Sequence, residues 1–187
     1  MNWTQRRKRQ ARRRAARRAL SVLVGGFGLL SLVGLFLGAE QRVSSEALFQ
    51  RPPETVWRVL TDLAGMPLWR SDLSALERLP DLEGRPVWRE IGQGGIRVIE
   101  LAVAQPPSRL VLRRTRDGVP AFPMRTFELA AASGGTRVTL TERARVANPL
   151  QRVLYRLHPP RAGITRLLHD LDLRLNGFRR EVAARPQ

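Results

Sequence analysis

The longest apolar stretch of the chain runs from Ala19 to Ala39, which is 21 residues without a charged side chain. As a helix it would be ~32 Å long, about the thickness of the hydrocarbon core of a bilayer. Residues 1–18 before it carry nine basic residues and no acid, and Glu40 is the first acid after it. The pattern predicts one transmembrane helix in the cell (inner) membrane, with residues 1–18 as a cytoplasmic tail and the rest of the chain on the extracytoplasmic side.

A cleavable signal peptide is the alternative to this anchor. The apolar region of a signal peptide usually has ~7–15 residues, and the stretch here is longer. Leu37 also stands where a small residue is preferred before cleavage after Ala39. Gly34 and Gly38 form a GxxxG pattern, which allows close contact with a second helix. We expect a retained anchor, while the pattern leaves the oligomeric state open.

Beyond the apolar stretch, the spacing of apolar positions changes between a helical and a two-residue period. Residues 43–50 are predicted as a strand, and Pro52 to Leu63 as an amphipathic helix with proline in its first turn. In the segment 136–146, Val138 and Leu140 alternate with arginines and threonines, which indicates a strand with one buried face. Turn residues separate six further predicted strands, at 73–79, 86–91, 96–104, 110–116, 122–132 and 136–146.

The chain ends in a predicted long helix. Asn148-Pro149 opens a short first piece, and Pro159-Pro160 interrupts it. In the longer piece, apolar residues recur at helical spacing from Ile164 to Phe178 and form a stripe wide enough to lie along a sheet. The order of strand, helix, six strands and helix predicts an α+β domain with an antiparallel seven-stranded sheet.

Two segments resemble the SRPBCC superfamily, also called START-like, which includes polyketide cyclases and lipid-transfer proteins. RPPETVWRVLTDLAGMPLWRSDLSALERL, at 51–79, is similar to the opening of that family, and FELAAASGGTRVTLTERARVANPLQRVL, at 127–154, to its last hairpin and the start of its long helix. The resemblance covers residues 43–180 and leaves 181–187 as a C-terminal tail. It implies a helix-grip fold, in which a curved sheet wraps around the C-terminal helix and encloses a hollow.

The distribution of charge argues against a nucleic-acid partner. Nine of the basic residues lie in the tail, and from Glu40 onward 24 basic residues face 16 acidic ones. Lys8 is the only lysine, so the excess of arginine reflects a composition bias more than a binding surface. Arginines beside a membrane helix are attracted to anionic lipid head groups, and this is the role that we expect for the tail.

The sequence offers no pattern for catalysis, a cofactor or a metal site. It lacks cysteine, a phosphate-binding glycine loop and a nucleophile elbow, and its two histidines, His158 and His169, are expected in solvent. Glu100, in a strand with mixed faces, is interpreted as a surface acid paired with an arginine of a neighbouring strand. A buried Glu100 with a raised pKa is the alternative.

Three functions remain open. The first is a membrane-tethered pocket that binds or transfers a hydrophobic small molecule or lipid, the second an enzyme of the cyclase or dehydratase kind, and the third an interaction module with a filled core and no ligand. The size and lining of the hollow discriminate between them. The large apolar residues of the sheet and the long helix are its candidate lining: Trp69, Trp88, Phe122, Met124, Phe127, Leu168, Leu171 and Leu175.

Overall fold

A computed structural model describes residues 20–22, 24–116, 119–159 and 161–183. The chain divides into two compact units. One contains the described residues up to Gln41 together with 146–159, and the other contains 42–145 and the described residues from 161 onward. The predicted tail at 1–18 lies outside the described residues, as do residues 184–187 of the predicted tail at 181–187, whereas 181–183 are the last residues of a helix.

The larger unit is built on the predicted seven-stranded antiparallel sheet, with strand order β1-β7-β6-β5-β4-β3-β2. Neighbours along the chain from β2 to β7 are joined as hairpins, so that only β1 pairs out of sequence, with β7. The strands are β1 (Glu40–Phe49), β2 (Leu73–Leu82), β3 (Arg85–Gly92), β4 (Gly95–Gln105), β5 (Arg109–Arg116), β6 (Val119–Ala132) and β7 (Gly135–Arg145).

The register defines a core face of the sheet. Phe127 of β6 lies opposite Leu110 of β5 and Leu140 of β7, and directly opposed residues share a face. All three side chains are at most 1% exposed, as is Val138 two positions from Leu140. The alternation predicted for β7 is therefore confirmed for its arginines, because Arg137, Arg143 and Arg145 are exposed, whereas Thr141, expected on the solvent face, is buried.

Two helices belong to this unit. Helix α2 (Pro53–Thr61) begins one residue after the predicted Pro52 and ends two residues before the predicted Leu63. It buries Val56 and Leu60 and lies against β6 and β7. A 3-10 turn (Met66–Leu68) follows it. The C-terminal helix α4 (Ala162–Ala183) lies against β7, and it is longer at both ends than the predicted stretch 164–178. Its buried residues are Ile164, Leu167, Leu168, Asp170, Leu171 and Leu175.

Polar contacts fix α4 within the unit. Asp170 accepts hydrogen bonds of 2.8 Å from both the backbone N and the Oγ of Ser71. Further along the helix, Arg51 Nη2 donates a 3.0 Å hydrogen bond to the carbonyl of Leu175. Because both contacts join α4 to segments more than 90 residues away, they set the position of the helix along the sheet unit.

The smaller unit contains helix α1 (residues 24–36) and helix α3 (Pro149–Leu157). Asn148 caps α3 by accepting hydrogen bonds from the backbone of Leu150 and Gln151, as expected for its opening. Arg152 donates to the carbonyls of Leu37 at 3.2 Å and Val146 at 2.8 Å. A side chain at Gly34 would overlap the carbonyl of Pro149, so the glycine permits α1 and α3 to touch.

The predicted membrane-spanning segment falls in this smaller unit. Residues 20–22 and 24–36 are helical, whereas Ala19 and residue 23 lie outside the described residues. In the part of the chain that the structure describes, no helix is long and apolar enough to cross a membrane. The anchor at 19–39 stays a prediction from the sequence.

Candidate functional site

A cleft lies on the core face of the sheet, near its β3 to β6 strands. Leu112 of β5 is paired with Arg125 of β6, two residues along each strand from the pair of Leu110 and Phe127. Residues two apart in a strand share a face, so the cleft lies on the same face of the sheet as the packed core. It encloses about 20 Å³, room for about one water molecule, and is partly open to solvent. Its lining consists of Glu90, Arg97, Ile99, Leu112, Arg114, Pro123 and Arg125.

The one acid in this lining, Glu90, is held by a buried arginine. Arg70 Nη1 donates a 2.9 Å hydrogen bond to Glu90 Oε1, and its side chain is 1% exposed. The same guanidinium binds both oxygens of Asp72, with Nε to Oδ1 at 3.0 Å and Nη2 to Oδ2 at 2.7 Å. A charge removed from water in this way is stable only because it is paired on both sides.

This network shifts the ionisation of its members. Burial disfavours the charged form of Arg70, but the hydrogen bond to Asp72 and the attraction of Glu90 and Asp72 outweigh burial and raise the pKa of Arg70. Burial likewise opposes the charged form of Asp72. The hydrogen bonds and charge of Arg70, with a smaller contribution from Arg125, outweigh it and lower the pKa of Asp72. Both groups stay charged at neutral pH.

The three arginines of the cleft differ in their partners. Arg125 Nε donates a 2.8 Å hydrogen bond to Glu142 Oε2 on the adjacent strand. Arg97 and Arg114 have no carboxylate within 4.0 Å among the described residues. The Nε of Arg97 is buried and has no hydrogen-bond acceptor in the same part of the chain. The cleft therefore contains two arginines without an ion-pair partner among the described residues.

Four of the predicted cavity residues lie in the packed core instead of the cleft lining. Phe127, Leu168, Leu171 and Leu175 are all at most 5% exposed, on β6 and on the stripe of α4. None of the eight predicted residues is among those that line the described cleft. Their role in ligand binding stays a prediction.

The other four predicted residues are half-buried and dispersed. Met124 is three positions from Phe127 on β6, so it points to the opposite face of the sheet, and Phe122 lies at an irregularity in the register of β5 with β6. Trp88 lies under the guanidinium of Arg78, 5.3 Å from its ring centroid, and its indole nitrogen has no partner among the described residues. Trp69 follows the 3-10 turn, next to Arg70.

A second buried acid, Glu100, lies on the face of the sheet opposite the cleft. It is fully buried, and Arg113 of β5, its register partner, binds it through Nε and Nη2. Arg85 of β3 is 3.4 Å from its other oxygen, close enough for an ion pair but without the alignment of a hydrogen bond. The expected pairing with a neighbouring-strand arginine is confirmed. The expected exposure is wrong, because these arginines cover the carboxylate.

Other candidate chemistry is sparse in the described chain. His158 and His169 are exposed, as expected. Within residues 20–22, 24–116, 119–159 and 161–183, no group of three or more histidine, aspartate or glutamate side chains is arranged to hold a metal ion. The polar groups that the sequence reasoning missed are Arg97, Arg114 and Arg125. Their signal was their place on the same strand faces as Ile99, Leu112 and Phe127.

Comparisons with known proteins agree with this architecture. The model of the family described as polyketide cyclase/dehydrase and lipid transport matches residues 40–175. No curated protein matches the chain. Among solved structures, ZhuI aromatase/cyclase from Streptomyces sp. R1128 is similar at a TM-score of 0.57 and 17% identity, covering 78% of this chain and 97% of its own.

Two further solved structures show the same fold. Protein NE0264 from Nitrosomonas europaea is 18% identical with a TM-score of 0.55, and the match covers 75% of this chain and 96% of that one. Protein MLL2253 from Mesorhizobium loti is 18% identical with a TM-score of 0.53, over 72% and 96% of the two chains. Since the family model spans most of the chain, the protein belongs to the polyketide cyclase/dehydrase and lipid transport family of the SRPBCC superfamily.

Proposed function

We propose that the chain is a membrane-anchored SRPBCC-type domain that binds or transfers a hydrophobic small molecule or lipid at the cleft on its core face. The observation that carries this proposal is the cleft itself, where Ile99, Leu112 and Pro123 supply apolar surface at an opening to solvent. The description of the family, which joins cyclases and lipid transport, supports the same class of ligand.

The size of the cleft restricts how such a ligand binds. Pockets that enclose a drug-sized molecule usually have about 300–1,000 Å³, and the enclosed space here is about 20 Å³. A ligand therefore either lies across the open mouth, with one end in the enclosed part, or widens the cleft by displacing side chains. We propose the first arrangement, because the buried stripe of α4 fills the rest of the face.

The membrane anchor in this proposal rests on the sequence and on the surface of α1. Residues 19–39 contain no charge and follow nine basic residues, which favours a cytoplasmic tail and an extracytoplasmic domain. Phe27, Leu35 and Phe36 are 57%, 62% and 85% exposed, and most of the other large apolar residues of the helix are exposed as well. Such a surface is stable in lipid and unfavourable in water.

A second candidate is an interaction module without a small ligand. The observation in its favour is that Phe127, Leu171 and Leu175, where the apolar hollow was expected, are at most 2% exposed. A cyclase or dehydratase has less support, because the acid of the described cleft, Glu90, is already bound by Arg70.

The test is native mass spectrometry of the full chain extracted with a mild detergent from washed membranes. We expect the chain in the membrane fraction, with a bound hydrophobic compound released on activation. Leu112→Trp should fill the cleft and remove that compound, whereas Leu173→Trp, at a 57% exposed position of α4, should retain it. A chain that is free of ligand in every preparation would leave the interaction module as the better interpretation, and recovery from the soluble fraction would refute the anchor.

A further inference from the structure

We infer that the ligand of the cleft carries an anionic group, a carboxylate or a phosphate, and that Arg97 and Arg114 bind it. This inference rests on the proposed function and specifies the chemistry of the same site. From the sequence we expected an apolar hollow. The cleft in the structure is instead lined by three arginines, one glutamate and three apolar residues.

Two of the four arginines around the cleft have no ion-pair partner among the described residues. Arg70 pairs with both Asp72 and Glu90, and Arg125 with Glu142, so the four arginines and three carboxylates together carry one net positive charge. These contacts bind both oxygens of Asp72 and one oxygen each of Glu90 and Glu142. Glu90 is the register partner of Arg97, but its Oε1 is bound to Arg70 and no ion pair joins it to Arg97. Arg97 and Arg114 thus remain as the charges available to a ligand.

The register brings these two arginines to one place on the sheet. Arg114 of β5 lies opposite Ile99 of β4, and Arg97 is two residues before Ile99 on the same face. The two arginines are therefore diagonal neighbours on adjacent strands, about 7–8 Å apart at their backbones. Their long side chains can converge on one anion, which would also remove the repulsion between two like charges.

The donor geometry fits a carboxylate or a phosphate. A guanidinium offers several N–H groups in one plane and binds either anion through two parallel hydrogen bonds. The Nε of Arg97 is buried and lacks an acceptor among the described residues, and its guanidinium lies against Gly94, so an anion reaches this donor by displacing that contact. Leaving such a donor unpaired is unfavourable, and an anionic ligand would satisfy it.

The size of the cleft indicates which end of the ligand lies inside it and which end lies at its mouth. The enclosed space holds about one water molecule and is partly open, so it admits one oxygen of a head group, with the rest of the head group and the apolar remainder at the mouth. Ile99 lies between the two arginines in the register, and Leu112 and Pro123 complete the apolar side. The expected ligand is an amphipathic acid, such as a fatty acid or an anionic lipid.

The experiment compares a fluorescent acid with its uncharged ester on the full chain in a nonionic detergent. The probes are cis-parinaric acid and its methyl ester, each titrated against a detergent blank. We expect the acid to bind at least about tenfold more tightly than the ester, the ratio given by one charge-assisted hydrogen bond. Arg97→Gln and Arg114→Gln should each remove most of that ratio by weakening the acid alone. Arg143→Gln, an exposed arginine on the opposite face, is the matched control and should leave both affinities unchanged.

Each outcome separates the inference from the function on which it rests. Equal binding of acid and ester, or variants that leave their ratio unchanged, would overturn the anionic site while keeping the binding of a hydrophobic ligand. Binding of neither probe would overturn both. Competition by inorganic phosphate would support the anion site and show that a free anion suffices. If the acid binds more tightly than the ester and inorganic phosphate does not compete, the result would support a site that binds the anionic group only as part of an amphipathic acid.

Discussion

On one face of the same sheet, β6 and β7 bury Phe127, Val138 and Leu140 almost completely, whereas β3 to β5 present Glu90, Arg97 and Arg114 to a cleft. Helices α2 and α4 lie against β6 and β7 at the packed end, and Asp170 of α4 also reaches Ser71, next to Asp72. The cleft end retains charged side chains that cannot be packed without partners. The apolar stripe of α4 belongs to the packed end, and our proposal places ligand recognition at the polar end.

The two buried networks of the sheet extend this comparison. At the cleft end, Arg70 satisfies Glu90 and Asp72 with well-aligned hydrogen bonds. On the opposite face, Arg113 and Arg85 cover Glu100, and one oxygen of Glu100 lacks a hydrogen bond among the described residues. Of the two acids, Glu90 is the one beside a cleft, and its tight pairing leaves the cleft to the arginines.

The largest expected effect comes from deleting apolar side chains at the two ends. Leu140→Ala at the packed end leaves a closed cavity and should reduce the free energy of unfolding by about 3–5 kcal/mol. Leu112 borders a space that is already open to water. Leu112→Ala should therefore reduce the free energy of unfolding by at least about 1 kcal/mol less than Leu140→Ala does. Urea unfolding of the full chain in detergent, followed by tryptophan fluorescence, measures both. A larger loss for Leu112→Ala would contradict the distinction between the ends.

A smaller effect is expected from adding volume at α4. Leu171 is fully buried and does not line the described cleft, so Leu171→Trp should overpack the core and destabilise it by roughly 1–3 kcal/mol. Leu173→Trp, on the exposed side of the same helix, is the matched control and should change the melting temperature little. An unchanged melting temperature for Leu171→Trp would show that α4 borders a hollow after all.

Much of the fold follows from local pattern. The two-residue alternation of Val138 and Leu140, the turn glycines and the proline before α2 are local signals, and each produced an element close to the observed bounds. The full length of α4 was harder to predict from the sequence, because no periodic apolar residue marks its start at Ala162. The pairing of β1 with β7 was not predicted, since pairing between distant segments leaves no trace in a single sequence.

The candidate site was much less predictable. An apolar stripe such as Leu168, Leu171 and Leu175 has the same pattern whether it packs against a sheet or lines a hollow. Because of Arg97 and Arg114, the faces of their strands contain both charged and apolar residues in the sequence. Such mixed faces are usual for exposed strands, so they did not indicate a site. Their meaning depends on the register that sets Arg114 opposite Ile99, and on the pairing of Glu90 with Arg70 twenty residues earlier.

The smallest expected effect is a pH dependence at the border of the cleft, from Asp72. Its pKa is lowered in the folded state, so its contribution to stability is complete above the ordinary aspartate pKa of about 4 and is lost as the pH falls through the folded value. Asp72→Asn should therefore destabilise the chain by about 1 kcal/mol at pH 7, a modest value because the side chain is 23% exposed. The difference from the unmutated chain should shrink between pH 4 and pH 2. Urea midpoints at pH 7, 5, 4, 3 and 2 measure it, with Asp81→Asn, in an exposed ion pair with Arg78, as the control that changes stability little at pH 7. A difference that grows as the pH falls would contradict the assignment, because it would require Asp72 to take up its proton more readily in the folded chain than in the unfolded one.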